Sequence, residues 1–148
     1  MIPFNLKEQF FRHTSTLGGP FFYIFILIFL LTINQYNLAL KLFLAFILAY
    51  IIASPLRLIF FKERPKKQPF SGILGKINSS SFPSLHSTRS TLLVLFAFYN
   101  LNLLASCFIL VLALIVYYSR LHLKSHYALD IFAGIILGVV DFYIITLI

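Results

Sequence analysis

Long apolar runs separated by short polar stretches make up the chain from residue 17 to its end. The first covers about 17–33, opens at Gly18-Gly19-Pro20, and gives way to Asn34-Gln35-Tyr36-Asn37. The second covers about 38–61, with Lys41 near one end and Pro55 near the other. The third covers about 84–99. A tight Asn100-Leu101-Asn102 turn leads into the fourth, which ends near Tyr118, and the fifth occupies about 126–148. A helix needs roughly 20 apolar residues to cross a bilayer, so the pattern predicts an all-α, polytopic transmembrane bundle of about five spans. Ahead of them, residues 1–16 mix Phe4, Leu6, Phe10 and Phe11 with Lys7, Glu8, Arg12 and His13, as a short interfacial helix would. The first run is short enough for a signal peptide, but no small-residue cleavage site follows Ile33, so it reads as a retained anchor. There is no internal repeat or heptad register, and 1–148 is expected to form a single membrane-embedded domain.

Composition sharpens this reading. Hydrophobic residues make up 60% of the chain and charged ones 11%, against about 25% charged in ordinary globular proteins. With a mean hydropathy of +0.94, a soluble domain is excluded, and any chemistry must sit in short loops at the membrane surface. Twelve basic against four acidic residues give a net charge of +8, which calls for an anionic partner. In a bilayer protein that partner is a lipid headgroup rather than nucleic acid. Cys107 stands alone in an apolar run, so neither a disulfide framework nor a cysteine metal site is available. The order of spans puts both polar bridges, 62–82 and 119–125, on one membrane face. Nearly all the charge lies there with them.

Three clusters on that face carry candidate chemistry. Arg57 and Arg64 are two helical turns apart and would point the same way if the helix persists to Pro65. Two guanidiniums on one face make a fork for phosphate oxygens, or a basic patch that merely holds anionic lipid. In Phe82-Pro83-Ser84-Leu85-His86 the serine can cap a new helix whose free amides and dipole attract an anion. His86 would then sit in the first turn, placed to donate a proton. In the third cluster, Ser119-Arg120 precedes His126 and Asp130, which share a helix face at i, i+4. A carboxylate beside an imidazole fixes its tautomer and raises its basicity, as a nucleophilic histidine requires. The pair could instead be structural. His122, His126 and Asp130 are also spaced by four, which suits a metal, but Arg57, Arg64 and Arg120 would crowd a cation, and no metal or other cofactor is expected. Asp141, about 16 Å deeper at 1.5 Å per residue, is expected to make a helix-packing hydrogen bond or to reach the far surface.

Together these clusters resemble the type-2 phosphatidic acid phosphatase superfamily, membrane relatives of the vanadium haloperoxidases. The family pattern is Lys-x6-Arg-Pro, then Pro-Ser-Gly-His, then Ser-Arg-x5-His-x3-Asp. This chain reads Arg57-x6-Arg64-Pro65, then Pro83-Ser84-Leu85-His86, then Ser119-Arg120-x5-His126-x3-Asp130. All three blocks occur in order at the family's internal spacings. Arg57 replaces the family lysine and Leu85 the family glycine, and the chain is short for a family that often has six spans. The resemblance implies that His126 attacks phosphorus to form a phosphohistidine, with Asp130 orienting its ring. It implies that His86 protonates the leaving group and then helps activate water. Arg57, Arg64, Arg120, Ser84 and the Leu85 amide would hold the phosphate oxygens, with no metal.

The implied substrate is a phosphorylated membrane lipid: phosphatidic acid, phosphatidylglycerophosphate, a lipid A phosphate or a polyprenyl diphosphate. Two rivals stand beside the hydrolase reading: a lipid phosphotransferase on the same scaffold, and a non-enzymatic protein that binds anionic lipid. The second gives no reason for His86, His126 and Asp130 at these spacings. The positive-inside rule would place the lysine-rich face in the cytoplasm. Bacterial members of the resembled family work on the outer face, so a bacterial inner-membrane protein with its site toward the periplasm or exterior is expected. The sequence carries no signal for oligomeric state.

Overall fold

The computed structural model of the protein describes residues 6–148. Met1 to Asn5, the start of the predicted interfacial helix, lie outside the described residues. The helices are α1 (Leu6–Ser15), α2 (Pro20–Thr32), α3 (Tyr36–Ile59), α4 (Gly72–Ser79), α5 (Leu85–Asn100), α6 (Leu103–His122) and α7 (Ala128–Thr146). A 3-10 turn, Thr16–Gly18, joins α1 to α2, and there is no strand among the described residues.

Each predicted apolar run contains one of α2, α3, α5, α6 and α7. Three of these, α3, α6 and α7, are long and apolar enough to cross a membrane; α1 with its turn and α2, bent by 49°, would together make a fourth. By length and composition, three or four helices thus qualify, which roughly matches the five expected. Helix α5 falls short of that length at 16 residues, and its first two turns are polar. His86, Ser87, Thr88, Arg89, Ser90 and Thr91 face neighbouring helices rather than lipid, and all but the half-buried His86 are buried.

That polar helix is the centre of the bundle, packed on α3, α6 and α7. Gly134 and Gly138, one turn apart on α7, let the α5 and α7 backbones come close. A Cβ at Gly134 would run into the Ser84 carbonyl, and one at Gly138 would lie 2.8 Å from both the Thr88 carbonyl and Thr91 Cβ. Small residues at such spacing are the usual means of close helix approach in lipid. The result joins two site elements: the Ser84 amide donates to the Asp130 carbonyl at 3.0 Å. On α3 the buried stripe Ala39, Leu42, Ala45, Ala49, Ala53 recurs every three or four residues and ends in buried Arg57. The face that packs the helix thus also delivers the arginine.

Three local expectations are revised. Helix α3 ends at Ile59, so Arg64 is on an extended segment and not two turns along the same helix; Pro65 disfavours helical geometry in the residue before it. Within 62–82 the chain forms α4, and α6 continues to His122, placing Ser119 and Arg120 in its last turn rather than in a loop. Asp141 is fully buried, and neither carboxylate oxygen has a hydrogen-bond partner among the described residues. It makes neither the packing bond nor the surface contact expected of it.

Candidate active site

Three segments meet where α3, α5, α6 and α7 present their ends. The strand-like stretch after α3 is sewn to the others by backbone bonds: Ser81 donates to the Lys62 carbonyl at 2.8 Å and Lys66 to the Lys124 carbonyl at 2.9 Å. The His126 amide reaches back to the Arg120 carbonyl at 3.3 Å. These bonds fix His126 in the turn between α6 and α7, 3% exposed.

His126 Nδ1 lies 2.7 Å from the Ser81 carbonyl oxygen. A carbonyl only accepts, so Nδ1 carries the proton and the lone pair is left on Nε2. Burial, with Arg120, Arg64 and Arg57 close by, pushes the imidazole down to about 2, and the Ser81 bond only partly opposes this. The ring is therefore neutral at pH 7, as a nucleophile must be. Asp130 does not bond this ring, contrary to expectation. One of its oxygens accepts from Lys62 Nζ at 2.7 Å and the other from the Tyr127 amide at 2.8 Å, closing the N-terminus of α7. The helix starts only at Ala128, so His126 lies outside it and the i, i+4 geometry does not apply.

The arginines divide into two kinds. Arg57 donates through Nε and Nη2 to the Pro83 carbonyl, at 3.3 and 2.7 Å, and through Nη1 to the Ile77 carbonyl at 3.2 Å. It props the loop that enters α5. Arg64 donates from Nη2 to the Asn78 carbonyl and Arg120 from Nη1 to the Ser15 hydroxyl, both at 2.7 Å. The Nε–H groups of Arg64 and Arg120 are buried and have no hydrogen-bond partner among the described residues. Burial draws Arg64 down from its ordinary value, opposed by Asp130. An unsatisfied buried donor costs about 1–3 kcal/mol, more when charged, a cost that an anion accepting from both would remove.

Ser84 caps α5, accepting from the Ser87 amide at 3.4 Å and from the Ser87 hydroxyl at 3.0 Å. Leu85 is the first helical residue, without positive φ, and its side chain packs with Ala49, Ala53 and Leu137. A leucine in place of the family glycine is therefore unstrained, and its amide is among those with no intrahelical acceptor. His86 follows in the first turn, half-buried, in electrostatic reach of Arg120, Arg89, His126 and Arg64. His122 is not with them. Its ring lies 4.3 Å from that of Phe11 and 6.2 Å from that of Tyr118, and no three His, Cys, Asp or Glu side chains form a metal-binding group among the described residues.

Four participants escape the sequence reading. Ser81 acts through its carbonyl, which leaves no trace in side-chain pattern. Lys62 lies between Arg57 and Arg64, but only the fold shows it reaching Asp130. Ser15 meets Arg120 from the far end of the chain. Arg89, 2% exposed, donates to the Gly18 carbonyl and the Tyr50 hydroxyl, both at 2.9 Å. An arginine inside an apolar run is costly and so a functional candidate by default; that rule would have flagged it.

A family model described as the PAP2 superfamily matches residues 38–148. No curated protein matches the chain in sequence. The fold is similar to that of Aquifex aeolicus LpxE, with a TM-score of 0.82 and 22% identity over 99% of this chain and 89% of that one. It is also similar to the transmembrane PAP2-type phosphatidylglycerolphosphate phosphatase of Bacillus subtilis, with a TM-score of 0.75 and 21% identity over 98% of this chain and 77% of that one.

Proposed function

Because the chain belongs to the PAP2 superfamily, we propose that it is an integral-membrane lipid phosphatase that passes a phosphoryl group through His126. The observation that carries this is the pair of buried Nε–H donors on Arg64 and Arg120 that have no partner among the described residues, beside an imidazole whose free lone pair is on Nε2. Donors held in place for developing charge are the main means of catalysing phosphoryl transfer.

The phosphate sits between Arg64, Arg120 and the N-terminus of α5, with the Ser84 hydroxyl and the Leu85 amide on its equatorial oxygens. His126 Nε2 attacks phosphorus as the bond to the lipid oxygen breaks, and His86 gives that oxygen its proton. The phosphohistidine keeps its Nδ1 proton on the Ser81 carbonyl. Water then attacks phosphorus and returns a proton to His86, the P–N bond breaks, and phosphate leaves. Arg57 contributes charge and holds the loop. Asp130, tied to Lys62 and the Tyr127 amide, fixes the start of α7 beside His126. The guanidiniums supply the positive charge that a metal ion would otherwise bring.

The substrate is a phosphate monoester or diphosphate of a membrane lipid. The similarity to the Bacillus phosphatidylglycerolphosphate phosphatase supports including phosphatidylglycerophosphate among the candidates; phosphatidic acid, lipid A phosphates and polyprenyl diphosphates complete the set. On this reading the protein lies in a bacterial inner membrane with its site toward the extracytoplasmic face. A C-terminal reporter, on the opposite face from the site, would then read cytoplasmic; a periplasmic reading would reverse the orientation.

The test is phosphate release by purified protein from those lipids with excess EDTA present, for wild type and His126→Ala. Release by wild type and none by a folded His126→Ala is expected. Substantial turnover by the variant would sink the assignment, and activity that needs an added divalent ion would overturn the metal-free mechanism.

A further inference from the structure

The family match begins at residue 38, so α1, the 3-10 turn and α2 all lie outside it. Yet this N-terminal segment grips the site. Phe11 of α1 packs its ring 5.4 Å from Tyr118 and 4.3 Å from His122, the residues two before and two after Arg120 on α6. Between them the Ser15 hydroxyl accepts from Arg120 Nη1 at 2.7 Å, a buried contact across 105 positions. Ser15 is 4% exposed and does not use its side chain to cap the 3-10 turn that it precedes. Three residues on, the Gly18 carbonyl takes Arg89 Nε. A Cβ at Gly18 would lie 2.8 Å from Val116 and 3.2 Å from the His86 carbonyl, so the turn is wedged against the base of α5's first turns.

We infer that Ser15 is a positioning residue for the phosphate site, holding one arm of the Arg120 guanidinium so that its free Nε–H faces the bound phosphate. The guanidinium is planar and its donors form a rigid fork. Fixing Nη1 therefore fixes the direction of Nε. A neutral hydroxyl does this without cancelling the charge, as a carboxylate would. The segment outside the family match thus completes a site built from motifs inside it. The inference rests on the phosphatase reading above.

The experiment compares wild type, Ser15→Ala, Ser15→Thr and Thr16→Ala on one short-chain phosphatidic acid, with orthovanadate inhibition as the probe of the phosphate pocket. Thr16 is the matched control, since among the described residues its hydroxyl bonds only the His13 carbonyl, within the same segment. Ser15→Ala should weaken vanadate inhibition and raise KM by about tenfold, the worth of a hydrogen bond to a charged group. Ser15→Thr, which restores the hydroxyl, and Thr16→Ala should stay within about twofold, the small change expected when no charged bond is lost. In an Arg120→Ala background, Ser15→Ala should add nothing further. Unchanged inhibition in Ser15→Ala, or an equal loss with and without Arg120, would overturn the inference. Should Ser15→Ala fail to fold, Ser15→Cys keeps the size with a much weaker acceptor and is judged by the same criteria. A wild type inactive on every lipid would instead count against the phosphatase reading itself.

Discussion

Lys62→Met removes the cation from an ion pair that touches the site, the one that does so among the described residues. Lys62 Nζ is 2.7 Å from Asp130 Oδ1; Asp130 is fully buried and the lysine side chain 36% exposed. At an effective dielectric constant near 20 the Coulomb attraction is about 6 kcal/mol. Desolvation and the lysine's access to water cut this. One-sided breakage of a fully buried pair costs roughly 3–5 kcal/mol, and an exposed pair is worth about 0–1. A pair with one member buried and the other a third exposed should fall between them, near 2 kcal/mol. Methionine keeps a stem over the Tyr127 ring, where the ammonium now sits 4.4 Å from the centroid. The backbone bonds from Ser81 to the Lys62 carbonyl and from Lys62 to Ser80 Oγ are untouched. Thermal unfolding in detergent should therefore shift down by about 5 °C. Asp130→Asn in the Lys62→Met background should add little, because the Tyr127 amide still has its acceptor. A double-mutant cycle should return a coupling near 2 kcal/mol. A midpoint unmoved by Lys62→Met, or strictly additive effects, would refute the view that this pair anchors α7 to the loop.

Two further outcomes follow from the same geometry. Arg64→Lys and Arg120→Lys keep the charge but lose the free Nε–H, so kcat should fall by about a hundredfold, as for loss of one preorganised donor; Arg57→Lys should lower the melting temperature more than it lowers kcat, since its bonds go to Pro83 and Ile77. Steady-state kinetics and melting on the three variants would check both, and equal kinetic losses at all three would contradict the division. His126 is held near 2 in the folded protein against an ordinary value of 6.5, so below pH 6.5 the unfolded chain takes up a proton that the folded one refuses. Stability should fall as pH drops from 6.5 toward 2, by about 2 kcal/mol at pH 5 from this residue; His126→Asn should flatten that part of the profile, and an unchanged acid dependence in the variant would refute it.

The helices were legible because lipid demands apolar faces and internally satisfied backbones, which leaves a period and a length to read. The two arginine blocks, the Pro83-Ser84-Leu85-His86 turn and the His126–Asp130 spacing were legible as local patterns. What failed was inference of contact from spacing. His126 and Asp130 looked like partners at i, i+4, but α7 starts too late for them to share a turn. Arg57 and Arg64 looked like one face of a helix that ends between them. The partners actually used are 68 positions apart for Lys62–Asp130 and 105 for Arg120–Ser15, or are carbonyls, which every residue owns. Spacing reports only what one element can do alone.

The choice of partners explains how so much positive charge can be buried. Arg57, Arg89 and Arg120 are buried and Arg64 is half-buried, and among the described residues none of the four is in an ion pair. Their bonds go to the carbonyls of Pro83, Ile77, Asn78 and Gly18 and to the hydroxyls of Ser15 and Tyr50. Neutral acceptors orient a guanidinium while leaving its charge uncancelled, whereas carboxylates would neutralise it and compete with phosphate for the same donors. Asp130 takes the lysine, a compact point charge on a flexible stem, and leaves the rigid forks free. The guanidiniums thus keep their positive charge uncancelled, and under the proposed function a phosphate dianion would balance it. On that reading, the cost of burying the arginines is tied to recognition of a phosphorylated lipid, because an anionic ligand would offset it.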